Sequence, residues 1–164
     1  MYKNRGLIHT SGSVRDFEKN LNILLSDTFN SILKYEALCL KSIYSVPVTV
    51  SEAHMIESIN RAGEPTVSEL ARLLGITLPT ATVAVKKLER KGFLTRASDG
   101  ADARKSFLSL TESGLRVDKA HSLFHKQLVR RISAQFDEGE KEILLAAIRK
   151  ISEFFQSKVN PDEF

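Results

Sequence analysis

Residues 66–111 read TVSELARLLGITLPTATVAVKKLERKGFLTRASDGADARKSFLSLT. Thr66 with Glu69 three positions on is a capping-box pattern, and Leu70, Leu73 and Leu74 supply the apolar stripe of a short helix. Gly75 marks a sharp turn. Thr77 stands where it caps a second helix, and Pro79 falls in the first turn of that helix, where a missing N–H costs little. The second helix runs to Lys91 and stops at Gly92, a residue suited to the left-handed position after a helix end. Two such helices around a glycine turn form a helix-turn-helix. Residues 93–96 and 106–110 then alternate apolar and polar side chains as two short strands, joined by a polar tip over 97–105. A hairpin directly after a helix-turn-helix is a wing. The expected fold is mainly α: a winged helix-turn-helix with a two-stranded wing, flanked by N- and C-terminal helices, about six helices in all.

The chemistry of this stretch points to DNA. Ala81, Ala84, Val85 and Leu88 recur at helical spacing and face inward, leaving Thr80, Thr82, Val83, Lys86 and Lys87 outward. Threonine hydroxyls and methyls can read base edges in a major groove, and lysines neutralise phosphates. Thr77, at the start of that helix, belongs to the same surface, and Ser68 and Arg96 are candidate phosphate contacts. The wing carries Asp102, Arg104 and Lys105, and an arginine on a narrow hairpin has the shape that enters a minor groove.

Charge agrees with this placement. The 164-residue chain has a formal net charge of +4. Residues 61–110 contain nine Lys and Arg against five Asp and Glu, so this segment alone carries the excess and the remainder is balanced. A hydrophobic content of 42% and a charged content of 27% describe a globular chain with a sizeable core. Residues 1–13 lack the apolar run of a signal peptide, no stretch approaches a membrane span, and the single cysteine, Cys39, rules out an internal disulfide framework. These features point to a cytoplasmic protein with no membrane partner.

The flanks complete the plan. Residues 1–13 form a polar arm with Gly6 and Gly12, expected to be flexible, and it offers Lys3, Arg5 and His9 to DNA phosphates. A long helix follows within 14–47, with Phe17, Leu21, Leu24, Leu25, Ile32, Leu33 and Leu38 at helical spacing, until Val46-Pro47 breaks it. Thr49 and Glu52 make a second capping box opening a helix that turns Ala53, Ile56 and Ile59 inward, so the winged unit spans 48–111. Thr111 caps a long helix bearing Leu115, Leu123, Phe124, Leu128 and Ile132, and Asp137 with Glu140 opens a last one bearing Ile143, Leu144, Ala147, Ile148, Ile151, Phe154 and Phe155. These terminal helices, 14–47 and 112–164, expose more apolar surface than one winged domain covers. A homodimer follows, with Phe17, Leu21, Leu24, Ile148, Ile151 and Phe155 in its interface. A two-fold dimer would set two recognition helices about 34 Å apart on a pseudo-palindromic duplex.

Two motifs tie these readings to a family. The run from Leu88 to Leu94 fits L-E-x-K-G-hydrophobic, and Asp102 to Gly114 fits D-x-R-x-x-x-L-x-L-T-x-x-G. Both resemble the MarR regulators, over a span from about residue 15 to the end. The resemblance implies dimerisation through the first and last helices. It also implies that Arg104 enters the minor groove with Asp102 orienting it, and that a ligand controls binding.

Three features bear on the signal. His121 and His125, at i,i+4, have the spacing of a metal pair, but no Asp, Glu or Cys close in sequence completes a site. They read as a hydrogen-bonding or surface pair, and no metal or other cofactor is expected. Cys39 lies late in an apolar helix between Leu38 and Leu40, the setting of a buried, inert thiol rather than a redox sensor. Finally, Glu52-Ala53-His54, the 77–82 stretch and the 120–126 run resemble the FabT-type branch, repressors of bacterial fatty-acid synthesis genes. That resemblance implies a long-chain acyl group on acyl carrier protein as effector, with His54, His121, Phe124 and His125 as ligand-contact positions. Pro79, Ala81 and the longer N-terminal arm depart from that branch. Other readings are a MarR regulator of phenolic ligands or oxidants and a winged-helix protein-interaction module. No phosphate loop, nucleophile–base pair or metal cluster in the sequence points to an enzyme.

Overall fold

A computed structural model describes residues 14–42, 47–99 and 102–158, apart from the side chains of Arg15, Ser98, Asp99 and residues 102–105. Six helices and one hairpin follow in the order α1 (Val14–Ser42), α2 (Val50–Ala62), α3 (Val67–Leu74), α4 (Leu78–Arg90), β1 (Leu94–Asp99), β2 (Asp102–Leu110), α5 (Glu112–Ser133) and α6 (Glu138–Lys158). The mainly α winged helix-turn-helix read from the sequence is the observed fold. The expected arm, 1–13, lies outside the described residues. Among those residues no helix is long and apolar enough to cross a membrane.

Local chemistry sets the helix starts. Thr49 and Glu52, and again Thr66 and Glu69, form complete capping boxes, each side chain accepting from the other's backbone N–H. Asp137 and Glu140 do the same at 2.9 Å in both directions. Thr77 caps α4 and Thr111 caps α5. Gly75 and Gly92 both take positive φ, the backbone conformation their turns require.

The core sits where α2, α3, α4, the hairpin and α5 meet. It joins Leu40, Ile56, Ile59, Leu70, Val85, Leu88, Phe93, Leu94, Leu108 and Val117. Leu73 does not join it. In α3 the buried arc runs through Leu70 and Ala71 with Leu74 half-buried beside it, whereas Leu73 lies round the cylinder and is 60% exposed. The terminal helices differ in kind. α6 has no buried residue at all, and Phe17, Leu21, Leu24, Ile148, Ile151 and Phe155 are all exposed. Cys39 is buried, as expected.

The wing is longer than its alternation suggests. β1 and β2 pair antiparallel from Leu94↔Leu110 to Asp99↔Asp102, with a register shift between Ser98 and Asp99. Most of what reads as a polar tip is therefore strand. Thr66 forms a bridge with Phe107, and the Leu108 amide donates to the Pro65 carbonyl at 2.9 Å, so the entry to α3 is stitched to the wing.

Candidate nucleic-acid interface

α4 buries Ala81, Val85 and Leu88 completely or nearly so, and this fixes what it presents. Val83 is 68% exposed and Lys86 is exposed on the opposite side, as the periodicity requires. Arg90, which the sequence reading passed over, is exposed one turn beyond Lys86. Helical spacing from Val83 places it on the same face. Thr77 and Thr80 are exposed at the start of α4, their hydroxyls 2.8 Å apart. Ser68 is exposed in the first turn of α3.

Three expected contacts are engaged elsewhere. Thr82 is half-buried and its hydroxyl donates to the Leu78 carbonyl at 2.8 Å, which uses its only proton within the helix. Lys87 lies 3.0 Å from Glu52 of α2. The Arg96 Nε lies 3.3 Å from the Glu89 carboxylate, joining the wing base to the end of α4. Thr82, Lys87 and Arg96 are thus scaffold contacts of the reading helix in the free protein. Asp102, Arg104 and Lys105 fall within β2, and their side chains lie outside the described residues.

Glu52 anchors α4 to the body. Its carboxylate accepts from the Thr49 amide at 2.9 Å and from Lys91 Nζ at 2.9 and 2.8 Å, with Lys87 alongside. Burial alone would raise this carboxyl, but hydrogen bonds from Lys91, the Thr49 backbone and Lys87 outweigh it and lower the pKa from 4.5 to about 2. A carboxyl depressed in the fold stabilises it above the unfolded value, and that contribution drains away as pH falls from 4.5 toward 2. Partial exposure of both lysines limits it to about 2–3 kcal/mol at neutral pH. Glu52→Gln is expected to lose that amount in urea unfolding at pH 7, with the gap from wild type narrowing as the pH falls to 3. A gap independent of pH would contradict this role.

A second cluster lies where α1, α2 and α5 meet. Glu36 of α1 and His121 of α5 are 1% and 0% exposed, and their Oε1 and Nε2 atoms are 2.7 Å apart. The same Glu36 oxygen lies 3.1 Å from His54 Nε2, and His121 Nε2 lies 3.0 Å from His125 Nε2. Burial and the neighbouring His121 lower the His125 pKa. His121 and His125 are thus a hydrogen-bonding pair, one of the two readings offered, with His121 in the interior and not at the surface; the carboxylate that meets them comes not from nearby sequence but from Glu36, 85 positions away. Phe124 is also buried, its ring 5.8 Å from Tyr35, so it is part of the packing rather than a ligand wall.

The helix-turn-helix, the hairpin stitched to α3 and the exposed face of α4 together make a DNA-reading unit, and a MarR family model matches residues 46–105, which hold its helices and most of its wing. That segment, over a third of the chain, resembles the MarR family. The chain's relatives are named as transcriptional regulators, and the solved ones include complexes with DNA. The fold superimposes on Streptococcus pneumoniae FabT in complex with DNA with a TM-score of 0.80 at 28% identity, covering 85% of this chain and 98% of that one. The Staphylococcus aureus MepR–DNA complex shares the fold at a TM-score of 0.66 and 22% identity, covering 82% and 97% of the two chains. Among curated proteins, the uncharacterized regulator YwaE of Bacillus subtilis is 34% identical over 52% of this chain, and the match spans only half of YwaE. The transcriptional regulator AdcR of Streptococcus pneumoniae is 25% identical over 80% of this chain and 92% of its own length.

Proposed function

We propose that this chain is a regulator of the MarR family and acts as a homodimeric, cytoplasmic repressor that grips a pseudo-palindromic operator through two copies of α4 and the wing. The observation that carries this reading is the division of α4: a fully buried Ala81–Val85–Leu88 stripe fixes the helix, and Val83, Lys86 and Arg90 are presented outward beside a basic wing. Val83 suits a thymine methyl, Lys86 and Arg90 suit guanine or phosphate, and Thr77, Thr80 and Ser68 lie at helix starts where backbone phosphates dock. Arg104 of the wing takes the minor groove, with Asp102 holding it and Lys105 on the adjacent phosphate. Arg104→Ala is expected to weaken operator binding by about 1–3 kcal/mol with an unchanged melting temperature. Equal dissociation constants at matched salt would remove Arg104 from the interface.

The fatty-acid reading rests on the FabT structure, the E-x-H of α2 and the 120–126 run. The effector in this reading is a long-chain acyl group on acyl carrier protein. His125 borders an open groove of about 670 Å³ with Lys126, Val129, Arg130 and Lys141, an apolar floor under a cationic rim suited to an acyl chain and its acidic carrier. Of the four expected ligand positions, His54 and His125 are the accessible ones. Anisotropy of a labelled operator duplex, titrated with protein with and without long-chain acyl carrier protein, tests this. At least a fivefold change in affinity is expected, and no change at saturating acyl carrier contradicts the acyl effector while leaving the DNA reading intact.

A further inference from the structure

Three of the chain's four histidines converge on one buried carboxylate. Glu36, His54, His121 and His125 each offer one ligand atom, and these atoms all lie within 4.8 Å of one another. The measured edges are 2.7 Å from Glu36 Oε1 to His121 Nε2, 3.1 Å from Glu36 Oε1 to His54 Nε2, and 3.0 Å between the His121 and His125 Nε2 atoms. A tetrahedron with metal–ligand bonds of about 2.0–2.1 Å has edges of roughly 3.3 Å. The three measured edges fall a few tenths of an ångström short of that value and no pair of the four atoms is more than 4.8 Å apart, so small side-chain rotations would turn this group into such a shell.

Hydrogen bonds alone serve the arrangement poorly. His121 Nε2 carries at most one hydrogen, yet it faces both the Glu36 oxygen and the His125 nitrogen at bonding distance. A divalent cation accepts the lone pairs of all three rings and the carboxylate at once. The outer side is also prepared. His121 Nδ1 is buried without a hydrogen bond, and Glu57 Oε2 stands 3.5 Å from it. A carboxylate behind a ligating histidine orients the ring, places its proton on the outer nitrogen and leaves the inner one for the metal. Three neutral imidazoles and two carboxylates, Glu36 within and Glu57 behind, balance a double positive charge.

We propose that Glu36, His54, His121 and His125 form a four-coordinate site for a first-row divalent metal, Zn²⁺ above all. An imidazole-rich set with one carboxylate and no thiolate suits zinc, whereas calcium and magnesium take oxygen shells. The site joins α1, α2 and α5. It therefore locks the helix that bears the exposed Phe17–Leu21–Leu24 surface to the helix whose Glu52 holds α4. It does not depend on the acyl reading.

The test is a Zn²⁺ titration of the full-length, chelator-stripped protein against a chromophoric zinc competitor. One zinc per chain is expected, bound at least 100-fold more tightly than by His54→Ala/His125→Ala, whose substituted residues are only partly buried. Glu36→Gln serves as a second variant, and the melting temperature of each metal-free protein confirms folding. Co²⁺ in place of zinc should give the intense visible bands of tetrahedral coordination in the wild type alone. Zinc held no more tightly by the wild type than by the double variant would overturn the site, as would the absence of any stoichiometric binding in competition.

Discussion

Gly114→Ala is expected to lower stability by at least about 3 kcal/mol and the melting temperature by roughly 10 °C. The cause is a collision with backbone. A Cβ built on Gly114 lies 2.1 Å from the Phe93 carbonyl oxygen and 3.3 Å from the Leu110 Cβ. The carbonyl cannot step aside, because it also accepts the Thr111 amide at 3.0 Å, while the Thr111 hydroxyl holds the Gly92 carbonyl at 2.6 Å and caps α5. These bonds fasten the first turn of α5 to the base of the wing, so relief of the clash must open the junction between the DNA-reading unit and the helix beyond it. Thermal denaturation followed by circular dichroism checks the expectation. A variant that melts within a degree of wild type would show that the junction yields without cost.

The second large effect concerns the terminal helices. α6 spans 21 residues without burying one, and Ile148 and Phe155 are 55% and 56% exposed. Apolar surface on this scale is covered in a stable protein, and the α1 residues Phe17 and Leu24 offer a second exposed apolar surface of the same chain. Covering an Ile or Phe side chain contributes about 1.5–3 kcal/mol, and a two-fold interface counts every substitution twice. Ile148→Glu/Phe155→Glu should therefore weaken the proposed dimer by on the order of 6 kcal/mol, enough to leave monomers at micromolar concentration. Analytical ultracentrifugation should give one chain mass for the variant and twice that for the wild type. Duplex binding should fall at least 100-fold, since each monomer reaches one half-site. A double variant that sediments as a dimer would place the interface elsewhere.

What the sequence disclosed follows from the range of the forces involved. Capping boxes, the glycine turns at Gly75 and Gly92 and the Ala81–Val85–Leu88 stripe act within one helical turn, and each was readable residue by residue. The wing was misjudged because Ala97 and Ser98 carry no strand signal of their own. They are strand because Phe107 and Ser106 pair with them across the hairpin. Leu73 was misplaced because an eight-residue helix buries one narrow arc, too short for a stripe to define its centre. Lys87 and Arg96 look like free cations in the sequence, and their partners Glu52 and Glu89 become visible only once α4 is packed. The histidine cluster needed the fold most. Its i,i+4 pair was evident on α5, but Glu36 and His54 reach it from two other helices.

These contacts join the separate parts of the chain. Glu52 fixes the reading helix to α2, the Asn60 side chain bonds Asp118 of α5 at 2.9 Å, and Arg131 of α5 reaches the Tyr35 hydroxyl of α1 at 3.0 Å. In the proposed dimer, a ligand or metal that favours one arrangement of α1, α2 and α5 would thereby bias the spacing of the two recognition helices by its differential affinity for that arrangement.

The most direct measurement is selection of duplexes from a random pool by the full-length protein, repeated with Val83→Glu/Lys86→Glu. The wild type should enrich a pseudo-palindrome whose half-site centres lie about 34 Å, one helical turn, apart, and the variant should enrich nothing. An unenriched wild-type pool, or the same sites recovered by the variant, would contradict the assignment of α4 as the reading helix.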